Sequence, residues 1–480
     1  MKALPQSVYY AIGIIMMKGV SLLMIPYITR KLSLAEYGSL ESLVLLADIG
    51  TILFSFGLVD AMYRYVGTTE GSEKKRLISN CFTLSFLFSV FGALLLAVSM
   101  TQLIAFLPVK FEPYQLILLA IPILIDGLIS IPLTLMRMQA MAKKFCQLNV
   151  AKALIQALIT FVTLELGFGI DGVIVAATVS SVLLALALIR YQWDQMGSFG
   201  YLKDSAMLLK FCIPVLIGST SVYMITGLDR WLLAQYVGVE QLAIYAIAVK
   251  FALLLALVLQ PYALWWFPNR MATLQQNDGE KKCADLALLG VNAGIVIALG
   301  MALTVPSLLM LLLPESYHAA GGITVALLAI NAVKNAGDYM NLGCFSGNSS
   351  QSQMWIHIGC AAFAVAGYFW FVPQYGLWGV VAILGSVYLL RLMLLYVVSQ
   401  SIQPLNYAHR TWILSILTSV SAWYLHAWVS QPLSPILTLI NGLLFGIATI
   451  ILLIALRVIP VHDFIFSKVK SLKKQYVRTS

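Results

Sequence analysis

The sequence predicts an all-α, polytopic membrane protein with about 14 transmembrane helices, built as two six-helix lobes plus two extra helices at the C-terminal end. Three observations predict it. Apolar runs of membrane-crossing length follow one another with short breaks, positive charge alternates between those breaks, and the whole pattern recurs about 205 to 209 residues later. Hydrophobic residues make up 60% of the chain and charged residues 10%, which excludes an ordinary soluble domain.

About 20 helical residues at 1.5 Å each cross the hydrocarbon core. Runs of that length are 8–27, 37–58, 77–107, 114–136, 146–168 and 170–189 in the first lobe. The second has 207–228, 242–267, 286–313, 322–345, 354–372 and 377–398, and 412–429 and 436–456 follow. The expected divisions are an N-lobe over 1–190, a polar hinge-like cytoplasmic linker over 191–206, a C-lobe over 207–400, helices 13 and 14 within 401–460, and a basic cytoplasmic tail over 461–480. The first run carries Lys18 and follows no small-residue cleavage site, so it reads as a retained span.

The net charge of +10 is distributed by topology. With the N-terminus in the cytoplasm, inner segments hold 21 basic residues, from Lys2 through Lys74, Lys75, Arg76, Lys281 and Lys282 to the tail beyond Arg457. Outer loops hold only Arg30, Lys31, Lys110 and Arg230. This positive-inside bias places both termini in the cytoplasm. It assigns the tail to anionic membrane lipid, with no nucleic-acid partner. The Asn348 sequon is then cytoplasmic and inert. The six cysteines form no CxxC pair and read as small apolar fillers, leaving no metal site.

The repeat is specific in its punctuation. Leu32–Gly38 corresponds to Val237–Ala243, Lys74-Lys75 to Lys281-Lys282, Leu118–Ile121 to Leu327–Ile330, and Gly169–Val173 to Gly376–Val380. Six helices per copy start both copies on the same side, so a pseudo-twofold axis along the membrane normal is expected, with a site between the halves of a transporter. No phosphate-cradling GxxxxGK[ST] occurs, and the outer loops are too short to hold the acid/base groups of a membrane-embedded glycan enzyme, so no cofactor is expected.

An ionisable group at a helix centre costs roughly 2.5–3.5 kcal/mol, so it faces a wet cavity or a partner. Lys18, Asp48, Asp126, Lys250 and Lys334 fall near the midplane of helices 1, 2, 4, 8 and 10. Asp338 lies one turn from Lys334, and Lys152 and Arg391 lie in the cytoplasmic half, within snorkelling reach. Two readings stand: structural ion pairs such as Lys18–Asp48 and Lys334–Asp338, or a net-positive cavity for an anionic, phosphate-bearing substrate. In the second, Lys18, Lys250, Lys334, Arg391 and Lys152 bind substrate, while Asp48, Asp126 and Asp338 adjust cavity charge or couple an ion. Tyr262, Trp265 and Trp266 end helix 8 as an interfacial belt or as sugar-stacking rings, and Pro261 should bend that helix. Asn331, Asn335 and Asn341 give helix 10 a polar face that could serve helix–helix hydrogen bonding and, beside Lys334 and Asp338, reads as cavity lining; His357 reads as a packed or hydrogen-bonded histidine in preference to a proton relay.

The run from Lys18 to Gly38, ending Arg30-Lys31-Leu32-Ser33-Leu34-Ala35-Glu36-Tyr37-Gly38, resembles the opening of bacterial polysaccharide-biosynthesis flippases. So do Leu228–Glu240, the Ile244-Tyr245 pair with Lys250, and the Gly-x-x-Gly turns at Gly169/Gly172 and Gly376/Gly379, although Ala243 stands where that family often has glycine. The resemblance spans nearly the whole chain and points to the multidrug/oligosaccharidyl-lipid/polysaccharide exporter superfamily. It implies translocation of an undecaprenyl-diphosphate-linked oligosaccharide (an O-antigen, capsule or exopolysaccharide unit) across the bacterial inner membrane by alternating access of the two lobes. Glycan polymerase and chain-length machinery are implied partners. In the related lipid II flippases, basic residues of helices 1 and 8 line the cavity, which Lys18 and Lys250 match by helix and chemistry, and helices 13 and 14 form a lipid-tail groove. The alternative is a cation-coupled multidrug exporter of the same superfamily, which predicts twelve helices and an acidic pocket.

Overall fold

The computed structural model describes residues 6–346, 351–431, 433–456 and 458; Lys2, the Asn348 sequon and the basic tail lie outside them. The described residues contain helices and no strand. In chain order the helices are α1 (Gln6–Lys31), α2 (Leu34–Ser55), α3 (Leu58–Tyr65), α4 (Gly71–Phe106), α5 (Pro113–Leu124), α6 (Asp126–Met138), α7 (Ala142–Glu165), α8 (Gly169–Met196) and α9 (Ser205–Thr226). They continue with α10 (Leu228–Tyr236), α11 (Val239–Ala252), α12 (Leu254–Leu274), α13 (Gly279–Leu312), α14 (Ala320–Tyr339), α15 (Gly343–Ser346), α16 (Gln351–Ile402), α17 (His409–Ser430) and α18 (Pro435–Ala455). Among the described residues, thirteen stretches are long and apolar enough to cross a membrane. One of them, Ser352–Ile402, has 51 residues, length for two crossings, and is broken at Gly376. The fourteen predicted crossings are therefore present.

The chain forms two compact units, each described by itself: Met1–Ala246 with Val365–Val380, and Ile247–Ala364 with Val381–Ser480. In the first, α2 begins with a capping box in which Ser33 and Glu36 satisfy each other's backbone N–H groups. α1 packs on α7, α7 on α8, and α5 on α8. The linker is held down on α4. Arg76 sits 4.7 Å over the Tyr201 ring and 3.9 Å from Asp204, the Gly200 N–H donates to Thr83 Oγ1 at 3.1 Å, and Phe199 meets Phe82 and Phe86 edge-on. The expected hinge-like segment is thus a docked strap. In the second unit, α13 is the central helix, packed against α12, α14, α17 and α18.

Several crossings are discontinuous. The second is broken at Phe56 and Gly57, both left-handed (φ 50 and 69), the fourth at Ile125 and the eighth at Leu253, and the seventh ends at Gly227 before the short α10. Pro261 lies inside α12, so the break in the eighth crossing falls eight residues ahead of the proline expected to bend it. In hydrocarbon, a carbonyl released by a break must find another donor. Pro122 has no N–H to offer Leu118, and the Thr178 hydroxyl reaches that carbonyl at 2.8 Å from α8. Ser89 of α4 donates to Leu124, the last residue of α5. Tyr368 donates at 2.8 Å to Ile225 in the last turn of α9, and Asn331 Nδ2 reaches the carbonyl of Ala252, which ends α11, at 3.5 Å.

The repeat is visible in the backbone. Gly169 and its counterpart Gly376 have φ of 54 and 55, a left-handed conformation that glycine adopts without the Cβ penalty. Gly38, in the second turn of α2, approaches the first residue of α11: a Cβ on Gly38 would lie 1.9 Å from the Val239 carbonyl oxygen. Gly38→Ala is expected to destabilise the purified protein by about 1–3 kcal/mol through overpacking. Gly19→Ala, with nothing within 4 Å of its added methyl, should leave the melting temperature unchanged or raise it. Equal melting temperatures for the two variants would refute the close approach.

Candidate functional site

Several of the charges inside the spans stand at helix breaks. Asp60, Asp126 and Asp229 each stand in the first turn of a helix that restarts after a break (α3, α6 and α10), and Lys250 stands in the last turn of α11 before its break. Carboxylates at helix N-termini and cations at C-termini complement the exposed peptide dipoles, by typically 0.3–1 kcal/mol each at a surface. Position at a break is therefore one physical reason for these residues to be charged.

In the first unit, Lys18 is exposed on α1. Asp126 and Lys152 are half-buried on α6 and α7 and interact electrostatically with each other. Asp48 is exposed on α2 and lies in the field of Arg230. The densest group was not anticipated. Asp229 is 2% exposed and Glu41 3%, and Arg230 interacts with both, with Asp48 and with Tyr245. Arg230 was expected in an outer loop; it is half-buried in α10 because the helix resumes directly after Gly227. The Tyr245 hydroxyl donates to Asp229 Oδ2 at 2.8 Å. Among the described residues, Asp229 Oδ1 and Arg230 Nε are buried with no hydrogen-bond partner. The signal in the sequence was Asp229-Arg230 within an apolar stretch, which reads as a loop unless the helix is known to continue.

In the second unit, the expected i, i+4 pair does not form. Lys334 lies 5.8 Å over the Tyr388 ring, and Asp338 is taken by Arg391, whose terminal nitrogen is 2.6 Å from Oδ1. Arg391 Nε donates to His357 Nε2 at 3.3 Å. Arg391 is 7% exposed, so it is buried between partners and does not snorkel to an interface. Lys250 is half-buried. The helix 10 asparagines turn out to join helices rather than line open space: Asn331 reaches Ala252, Asn335 Nδ2 donates to the Gly290 carbonyl at 3.1 Å, and Asn341 accepts from Arg270 at 3.0 Å. Each polar atom inside a membrane protein gains more from a neighbouring helix than from apolar surroundings.

The three aromatic candidates separate. Trp266 is 1% exposed within the apolar core, and Tyr262 stacks on Tyr339 at 5.7 Å and donates to the Leu286 carbonyl at 2.6 Å. Trp265, 51% exposed, is the ring that remains open. All six cysteines are buried and free, as expected of apolar fillers.

Tyr245→Phe removes the donor to a buried carboxylate and is expected to cost about 1.5–3 kcal/mol. Adding Asp229→Asn should recover part of that loss, because a neutral amide needs the hydroxyl less. A double-mutant cycle by thermal unfolding in detergent measures the coupling, and additive losses would dissolve the pair.

A family model described as polysaccharide biosynthesis protein matches residues 27–321. No curated protein sequence matches the chain significantly. Among solved structures, "Lipid II flippase MurJ, inward closed conformation" is similar with a TM-score of 0.76 at 14% identity, covering 95% of this chain and 100% of that one. An outward-facing multidrug resistance MATE family transporter of the MOP superfamily is similar with a TM-score of 0.57 at 15% identity, covering 82% of this chain and 95% of that one. At such identities the likeness is one of fold.

Proposed function

The chain belongs to the polysaccharide biosynthesis protein family, and on that footing we propose that it is a flippase for an undecaprenyl-diphosphate-linked oligosaccharide, an O-antigen, capsule or exopolysaccharide unit. Its fold is that of the MOP superfamily, and family and fold are those of transporters. The proposed setting is the bacterial inner membrane with both termini cytoplasmic. The proposed machinery is two six-helix lobes, 1–190 and 207–400, which open alternately to the two sides. The lipid II flippase likeness extends over 95% of this chain, against 82% for the MATE transporter, which supports a lipid-linked cargo over a small drug.

The observation that carries the reading is an exposed ammonium inside a span. Lys18 sits within the crossing Ile12–Lys31, where facing hydrocarbon would cost roughly 2.5–3.5 kcal/mol, so it faces water or an anion. Lys18, Lys250 and Lys334 are the proposed contacts to the diphosphate. Each supplies three N–H donors on a flexible stem, suited to oxygens that shift as the substrate crosses. Arg391 and Lys152, each engaged with a carboxylate, set the local field instead of gripping the cargo, and Asp48, Asp126 and Asp338 limit that field so that the anion is released. Trp265 is the proposed stacking surface for sugar, with Tyr262 and Trp266 holding it in place.

Lys18→Ala and Lys250→Ala are each expected to lower export of lipid-linked glycan about tenfold or more in a flippase-deletion host, the effect of one charge-assisted hydrogen bond to phosphate. Protein level should be unchanged. Normal export by both variants would remove the cationic site. Failure of the wild type to export, together with dye efflux from the same cells, would favour the multidrug reading.

A further inference from the structure

We propose that His357, Arg391 and Asp338 form a proton-binding latch that couples transport to a proton gradient; the coupling role rests on the transporter reading above, while the latch does not. The three residues come from different stretches of the second unit: Asp338 from the end of α14, His357 from the first part of α16 and Arg391 from its later part. Arg391 bridges them, with one nitrogen 2.6 Å from Asp338 Oδ1 and Nε 3.3 Å from His357 Nε2.

The bridge reads the protonation state of the histidine. An arginine has only donors, so its Nε–H bond requires a lone pair on His357 Nε2, which exists in the neutral ring with its proton on Nδ1. When water delivers a proton to Nε2, that lone pair is consumed and the imidazolium and guanidinium carry like charges at contact distance. The Nε–H bond breaks, and the guanidinium is left to Asp338 alone. A plain ion pair would need only Arg391 and Asp338. Placing a titratable acceptor on the third edge makes the second contact of Arg391 conditional on pH while the ion pair persists. The arrangement is also reachable: the Asp338 side chain is 35% exposed and the Arg391 side chain 9%, so the cluster is closed at the guanidinium and open at the carboxylate.

The other groups near the latch reinforce this polarity. Arg270 of α12 interacts with Asp338, the Cys360 thiol lies close enough to Arg391 to feel its charge, Cys344 lies in the field of Arg270, and Lys334 is one turn from Asp338. Arg391 and Arg270 thus share one carboxylate, and an added proton on His357 raises the positive charge with no new anion to offset it. Losing the bond frees the first part of α16 from its later part and from α14, a change of packing that a transporter can use.

The test needs no substrate. Spin labels at Met354→Cys and Met393→Cys, both exposed on α16, report the latch as a distance distribution in nanodiscs. Acidification from about pH 8 to about pH 4.5, through and beyond the ordinary range of histidine because the adjacent guanidinium opposes a second positive charge, should shift the wild-type distribution. His357→Gln, whose amide oxygen still accepts from Arg391, should stay in the pH 8 distribution throughout. His357→Lys should show the acid distribution at both values. A wild type that does not move, or a Gln variant that moves like it, overturns the latch. In proteoliposomes, flipping of a fluorescent undecaprenyl-diphosphate N-acetylglucosamine should respond to an imposed pH gradient in the wild type and lose that response in His357→Gln. Distances that shift with pH while the probe stays unflipped would remove the flippase reading and keep the latch. Flipping that retains its gradient response in His357→Gln would remove the coupling.

Discussion

Every backbone carbonyl released inside hydrocarbon has to be met by a donor from elsewhere in the protein, and this requirement organises the structure. A continuous helix meets it internally; this chain breaks several of its crossings. Thr178 serves the carbonyl that Pro122 abandons, Ser89 serves the end of α5, Tyr368 the end of α9 and Asn331 the end of α11. These hydroxyls and amides are why helices with little polar surface choose particular neighbours. Hydrophobic burial cannot make that choice within a membrane, since lipid tails are as apolar as leucine.

Several charges then stand at the breaks. A restarted helix offers unpaired N–H groups and the positive end of its dipole, and Asp126 and Asp229 occupy such ends, while Lys250 occupies the opposite kind of end. Of the proposed cargo contacts, Lys250 also stands at such an end. Structural and functional roles need not be alternatives here. In the second unit, by contrast, Arg391 lies within a helix away from the Gly376 break and depends on side-chain partners alone, which makes its environment more responsive to a single proton.

The number of crossings and their repeat were legible in the sequence because both are written in local composition. Segment length against membrane thickness yields the spans, and the glycines at 169 and 376 mark a turn that only a left-handed residue closes easily. The pairing of charges was not legible. Lys334 and Asp338 have ideal helical spacing, yet Asp338 belongs to Arg391, because a rigid guanidinium two helical stretches away offers a better fork than a flexible ammonium one turn off. Arg230 was placed in a loop since its run of apolar neighbours is short, and nothing local says that a helix resumes after Gly227. The asparagines of helix 10 are likewise polar for reasons held by other helices.

The bond between Thr178 and the Leu118 carbonyl makes the residues at 122 and 178 depend on each other. Pro122 removes an amide proton, and Thr178 restores it while also reaching its own helix at Ile174. A lineage that lost the hydroxyl would carry an orphaned carbonyl in lipid until the proline changed too. One that lost the proline first would free the threonine to drift. The order in which such a pair can mutate is therefore asymmetric, and the helix break it protects is easier to erase than to create.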